Sequence, residues 1–146
     1  MRWWWILVLA CAACSRPPAP EAEVETPPPV ARMVRDLGEA GLEPRAERLR
    51  SLREFPGCPE ARFRFRLHFR GGFVNVSRFD TPEQASACLA DFRATVIKAG
   101  EAAWEEMGRD ITTHGPWLFF FPPDQADETL RAEVLALLRA AEKAQK

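Results

Sequence analysis

Arg62-Phe63-Arg64-Phe65-Arg66-Leu67-His68-Phe69-Arg70 alternates residue by residue between basic and apolar side chains. A period of two puts successive side chains on opposite faces of a strand. Phe63, Phe65, Leu67 and Phe69 therefore share one face, and Arg62, Arg64, Arg66, His68 and Arg70 share the other. Gly71-Gly72 follows and fits a two-residue hairpin loop, because glycine takes positive φ without a Cβ clash. Phe73 to Phe79 returns as a second strand, with Val74 and Val76 on one face and Arg78 near the basic row.

Working outward, Asp80-Thr81-Pro82-Glu83 reads as a helix start, with a capping side chain and Pro in the first turn. That helix runs to about Ala99, and Ala85, Cys88, Leu89, Phe92 and Val96 form its buried stripe. A second hairpin is expected from a strand within Gly108 to Thr113, a turn at His114-Gly115-Pro116, and the strand Trp117-Leu118-Phe119-Phe120-Phe121. Pro122-Pro123 ends it. Asp124 is placed to cap a last helix reaching about Ala144, with Leu130, Val134, Leu137 and Leu138 inside. Upstream, Val30, Val34 and Leu37 recur at helical spacing beside Met33, and Gly41 sits at a C-cap position. Residues 43 to 55 are ambiguous: Ala46, Leu49 and Leu52 suggest a short amphipathic helix, with Arg45, Arg48, Arg50 and Arg53 outside the stripe. Pro56, Gly57 and Pro59 then break the chain. The order helix, hairpin, helix, hairpin, helix implies an α+β domain, with two antiparallel hairpins in one sheet and helices on one face.

The chain has 146 residues, 47% hydrophobic and 28% charged, which fits one globular core. A polytopic membrane protein, a disordered chain and a disulfide-dense mini-protein are excluded. The formal net charge of −1 gives no bulk attraction to nucleic acid. The average hides an uneven distribution. Six of the 13 prolines lie between Pro17 and Pro29, and three of the five tryptophans are Trp3, Trp4 and Trp5.

The amino terminus has one basic residue, Arg2, then an apolar run from Trp3 to Ala13, then small residues and an abrupt change to Ser15-Arg16-Pro17. That order is the pattern of a secretory signal peptide. A helix of that run spans only about 16 Å, against about 30 Å of hydrocarbon. Residues 15 to 29 are rich in Pro and Glu and read as an extended spacer. The expected organisation is a signal peptide over 1–13, Cys14 with its tether over 14–29, and a single domain over 30–146.

Two resemblances follow from these residues. Small residues before a cysteine, as in Cys11-Ala12-Ala13-Cys14 or Val8-Leu9-Ala10-Cys11, resemble the lipobox of bacterial lipoproteins. The resemblance implies lipidation of Cys14, with Cys11 as the alternative, and a membrane anchor through the attached acyl chains, palmitate included. Ser15 after the cysteine then permits the outer membrane in a Gram-negative cell. Ala40-Gly41-Leu42, Gly71-Gly72-Phe73-Val74-Asn75-Val76 and Gly115-Pro116-Trp117-Leu118-Phe119-Phe120-Phe121 together resemble a group of small bacterial envelope proteins. That second likeness rests on structural motifs and implies only the fold.

The site candidates are few. The row Arg62, Arg64, Arg66, His68 and Arg70 suits an anionic group or an envelope partner, since guanidinium forks match carboxylate and phosphate oxygens. The competing reading is a solvated face whose charges are paired by acids from elsewhere. Leu118 and Phe120 need cover on the second face of their strand, and residues 43 to 55 are the expected source. Cys58 and Cys88 remain after cleavage and are candidates for a disulfide in an oxidising compartment, their alternative being two free thiols. No Gly-x-Ser-x-Gly, His-Glu-x-x-His or phosphate-binding glycine loop occurs, and no cofactor is expected. The expected role is a non-enzymatic accessory or binding module of the envelope. A small hydrolase or transferase is the alternative, and it would need a pocket gathering His68 or His114 with an acid. A binder of anionic lipid or cell wall is a third reading.

Overall fold

The computed structural model describes residues 25–50, 58–123 and 125–143, with only the backbone of Arg109. The expected signal peptide, both lipidation candidates, most of the tether, Leu52, Arg53 and Asp124 lie outside the described residues. The elements are α1 (Pro28–Glu39), β1 (Arg45–Arg48), β2 (Phe63–Phe69), β3 (Gly72–Arg78), α2 (Pro82–Ala99), α3 (Glu101–Met107), a 3-10 turn (Gly108–Asp110), β4 (Ile111–His114), β5 (Trp117–Phe120) and α4 (Glu128–Lys143). The five strands form one antiparallel sheet in the order β1-β2-β3-β5-β4.

Local chemistry sets the boundaries. Thr81 and Gln84 form a capping box at the start of α2: Gln84 N donates to Thr81 Oγ1 at 3.3 Å, and Thr81 N donates to Gln84 Oε1 at 3.2 Å. α1 stops in a Schellman turn, with Leu42 N donating to Leu37 O and Gly41 at φ 76°. Asp127 takes the capping role at α4, where its Oδ1 accepts from Leu130 N at 2.8 Å. In the first hairpin the loop residues are Arg70 and Gly71, one position earlier than the glycine pair suggests, because Phe69 pairs directly with Gly72. Gly71 takes φ 99°, while Gly72 is needed for space, since a Cβ there would lie 1.7 Å from Gln125 O.

Register then assembles the main core. Phe65, Leu67, Val74, Val76, Trp117 and Phe119 project from one face of the sheet and meet Val30, Met33 and Leu37 of α1 and Val134 and Leu138 of α4. The Trp117 and Phe119 rings stack at 6.4 Å, and Phe63 meets Trp117 edge-on at 5.9 Å. The opposite face carries a smaller cluster: Leu118 and Ile111 from the sheet, Phe79, and Cys58, Ala85 and Cys88, with Leu89, Phe92, Trp104 and Phe120 at its margin.

The α+β class is present, but the expected order of two hairpins between three helices is not: a fifth strand, β1, and a further helix, α3, are added, and other finer expectations change. Residues 45–48 form an edge strand rather than part of a helix: Ala46 opposes Leu67 and joins the main core, while Arg45, Glu47 and Arg48 are exposed. Three charges in four residues suit an exposed edge, where they discourage pairing with a second chain. Helices cover both faces, with α1 and α4 on one and α2 with α3 on the other. Cover for Leu118 and Phe120 therefore comes from the α2–α3 side, not from the described part of 43–55. In α2 only Ala85 and Cys88 are buried; Leu89, Phe92 and Val96 are partly exposed.

Leu67 is fully enclosed, so Leu67→Ala should cost about 3 kcal/mol in denaturant unfolding. A cost below about 1 kcal/mol would contradict its central placement.

Candidate binding face

Pairing arranges the second face of the sheet in three rows. One runs Arg64, Ser77, Leu118, Thr113; the next Glu47, Arg66, Asn75, Phe120, Ile111; the third Arg45, His68, Phe73. α2 and α3 cover the β4–β5 end of these rows, where Phe92 meets Phe120 edge-on at 6.5 Å and Trp104 at 6.2 Å. At the β1–β2 end the face carries Arg45 and Glu47, which are exposed, and Arg66, His68 and Phe73, which are half-buried. This is the candidate site: a patch of both charge signs around one aromatic ring.

Arg66 stands over the Phe73 ring at 4.4 Å and donates from Nε to Asn75 Oδ1 at 3.0 Å. Asn75 is itself buried, so this hydrogen bond is partly shielded from water, and the ring adds a cation–π contact to the guanidinium. His68 Nε2 lies 2.8 Å from Glu47 Oε2, and the His68 ring lies 5.8 Å from Phe73. The hydrogen bond from His68 holds the Glu47 carboxyl below the usual carboxylate range, opposed by desolvation and helped to a smaller extent by the charges of His68, Arg66 and Arg45.

Of the other members of the basic row, Arg62 and Arg70 leave the patch, while Arg64 borders it on the same face. Arg62 lies before β2 and pairs with Asp80 at 3.7 Å. Arg70 sits in the hairpin loop, where it pairs with Glu43 at 3.2 Å and donates to Gly41 O at 2.7 Å. Both pairs are exposed and contribute little to stability. Arg64 is buried. Arg78 turns to the opposite face, where its guanidinium lies 5.2 Å from the Trp117 ring centroid and burial lowers its pKa. Glu47, Asn75 and Phe73 are the site residues that sequence reasoning missed. Phe73 and Asn75 were legible as the outward positions of β3 once Val74 and Val76 were placed inward. Glu47 was not, because β1 was not read as a strand.

Cys58 and Cys88 are joined by a disulfide with Cα atoms 5.6 Å apart, which ties the segment before β2 to α2. His114 Nε2 lies 3.2 Å from Glu142 Oε2, across from the binding face. Both histidines thus have a glutamate partner. A groove of about 570 Å³ lies elsewhere, between the β4 edge and α4, lined by Glu106, Asp110 and Glu128, with Arg131 paired to Asp110. Neither histidine lines it. Among the described residues no three His, Cys, Asp or Glu side chains gather as a metal-ligand set.

Comparisons with family models, with curated proteins and with solved structures gave no match.

Because its folded pKa is depressed, Glu47 stabilises the protein above the ordinary carboxylate pKa of about 4.3 and stops doing so as pH falls through the lowered value. Glu47 is half exposed, so Glu47→Gln should cost at most about 0.5 kcal/mol near pH 6. Urea melts near pH 3 should show that difference shrinking towards zero. An equal difference at both pH values would mean that the carboxylate charge is not what matters.

Proposed function

We propose that this chain is a lipid-anchored protein of the bacterial cell envelope. In this reading a non-enzymatic accessory or binding module is held off a membrane by the Pro/Glu-rich tether. The observation that carries the binding role is the half-covered second face. A sheet normally hides its apolar residues and leaves solvent-facing positions independently solvated. Here the uncovered end holds Phe73 under Arg66 and a buried Asn75 as the hydrogen-bond partner. Aromatic and arginine side chains organised in this way are common anchors of protein interfaces.

Two further observations support export. The Cys58–Cys88 disulfide suits an oxidising compartment. The Arg2-led apolar run ending in Cys14 suits lipoprotein processing, with Ser15 compatible with the outer membrane. No helix among the described residues is long and apolar enough to cross a membrane. The His68–Glu47 and His114–Glu142 pairs are what a hydrolase or transferase would draw on, but neither pair lies in the groove beside β4. An anionic-lipid or cell-wall binder would use the same basic patch. Its attraction would weaken steeply with salt.

Intact-mass analysis of the mature protein, with metabolic labelling by a palmitate analogue, tests the anchor. The expected result is a labelled chain beginning at Cys14 whose label disappears in Cys14→Ser. A chain beginning elsewhere without acyl mass would refute it. A label lost only in Cys11→Ser would move the anchor to that residue.

A further inference from the structure

Arg64 differs from every other basic residue of its row. Its side chain is 8% exposed, yet its Nη1 has no hydrogen-bond partner. Arg62, His68 and Arg70 have carboxylates within 4 Å, and Arg66 has Asn75 and Phe73. No described carboxylate forms a salt bridge with Arg64. A guanidinium cannot escape the cost of burial by losing its proton. A buried cation without a counter-charge is among the most unfavourable arrangements a fold can hold.

Among the described residues, its direct neighbours in the sheet carry no negative charge. Across β3 the register places Ser77, 1% exposed, directly opposite Arg64. Beyond Ser77 in the same row lies Leu118. On the β1 side Leu49 N donates to Arg64 O, and the Leu49 side chain is buried. Two residues along the strand on the same face is Arg66, a second cation. These register neighbours are one hydroxyl, two aliphatic side chains and one cation, and Nη1 is left without a partner.

We propose that the Arg64 guanidinium, with Ser77 opposite it in the register, binds a single carboxylate carried by a ligand of the open face. This deepens the reading of that face as a binding surface. The planar fork of the guanidinium matches the two oxygens of a carboxylate with parallel hydrogen bonds. One buried positive charge balances one negative charge. A phosphate monoester would bring close to two and leave excess charge buried, because Arg66 is already held by Asn75 and Phe73. The ligand supplies the counter-charge that the fold lacks, so binding and stability are coupled.

Thermal melting of the full chain in detergent micelles, disulfide intact, tests this with sodium acetate, sodium chloride and sodium phosphate at equal ionic strength. Acetate should raise the melting temperature saturably above the chloride control, and phosphate should do so less. Arg64→Met should melt higher than the parent without acetate, because it removes an unpaired buried charge, and should not respond to acetate. Arg64→Lys keeps the charge but loses the fork, and should need about tenfold more acetate for the same response. Equal responses to acetate and chloride, or a full acetate response in Arg64→Met, would overturn the proposal. A phosphate response larger than that of acetate would overturn the choice of carboxylate. If Arg64→Met does not fold, the Nε–Hε resonance of Arg64 in the unaltered chain decides: a shift with acetate supports the site and no shift overturns it. Loss of the palmitate label with the acetate response intact refutes the anchor alone. The converse refutes this site alone.

Discussion

The pairing of β2 with β3 is the constraint on which the rest depends. It places Phe65 opposite Val76 and Leu67 opposite Val74 on one face, and Arg64 opposite Ser77 and Arg66 opposite Asn75 on the other. β5 adds Trp117 and Phe119 to the first face and Leu118 and Phe120 to the second. The sheet is therefore largely apolar on one side, with Arg48, Arg78, Thr112 and His114 at its margins, and on the other only towards β4 and β5. α1 and α4 satisfy the first requirement by packing side by side over the main core. α2 and α3 satisfy the second over part of the sheet only, and no other described helix covers the polar remainder.

The disulfide belongs to this arrangement. The α2 side contributes few buried groups, with Ala85 and Cys88 the buried residues of α2 and none in α3. A helix with so little enclosed apolar surface gains little from packing alone. The Cys58–Cys88 bond restricts the unfolded chain over a separation of 30 residues, which is worth about 3 kcal/mol by loop-closure entropy. Covalent attachment thus compensates for a thin interface, and the open end of the sheet can remain uncovered without loss of the layer beside it.

Much of this was legible in the sequence because period-two alternation is unambiguous over nine residues. The sequence alone assigns Phe63 to Phe69 to faces, although Arg62 and Arg70 fall outside the strand, and the second strand follows from the glycines. The stripes of α1 and α4 were largely legible for the same reason at helical spacing, whereas α2 buries only Ala85 and Cys88 of its five expected positions. β1 was not, because Arg45-Ala46-Glu47-Arg48 holds a single apolar residue, and one residue defines no period. Missing β1 hid Glu47 and with it the partner of His68. α3 was missed because its seven residues bury nothing fully. The charge state of the basic row was the least legible feature. Whether an arginine meets an acid depends on contacts distant in sequence, such as Arg62 with Asp80 and Arg70 with Glu43. Those pairings separate Arg64 from its neighbours, although the alternating pattern makes all five look alike.

The central claim is that this protein makes contact through the open β1–β3 end of the second face. Photo-crosslinking in living cells tests it directly, with the photoreactive residue placed at Phe73 in one variant and at exposed Glu133 on α4 in another. The account predicts a discrete adduct from position 73 that disappears when Arg66→Glu is added, and none from position 133. Adducts from position 133 alone, or adducts from position 73 that persist in Arg66→Glu, would contradict it.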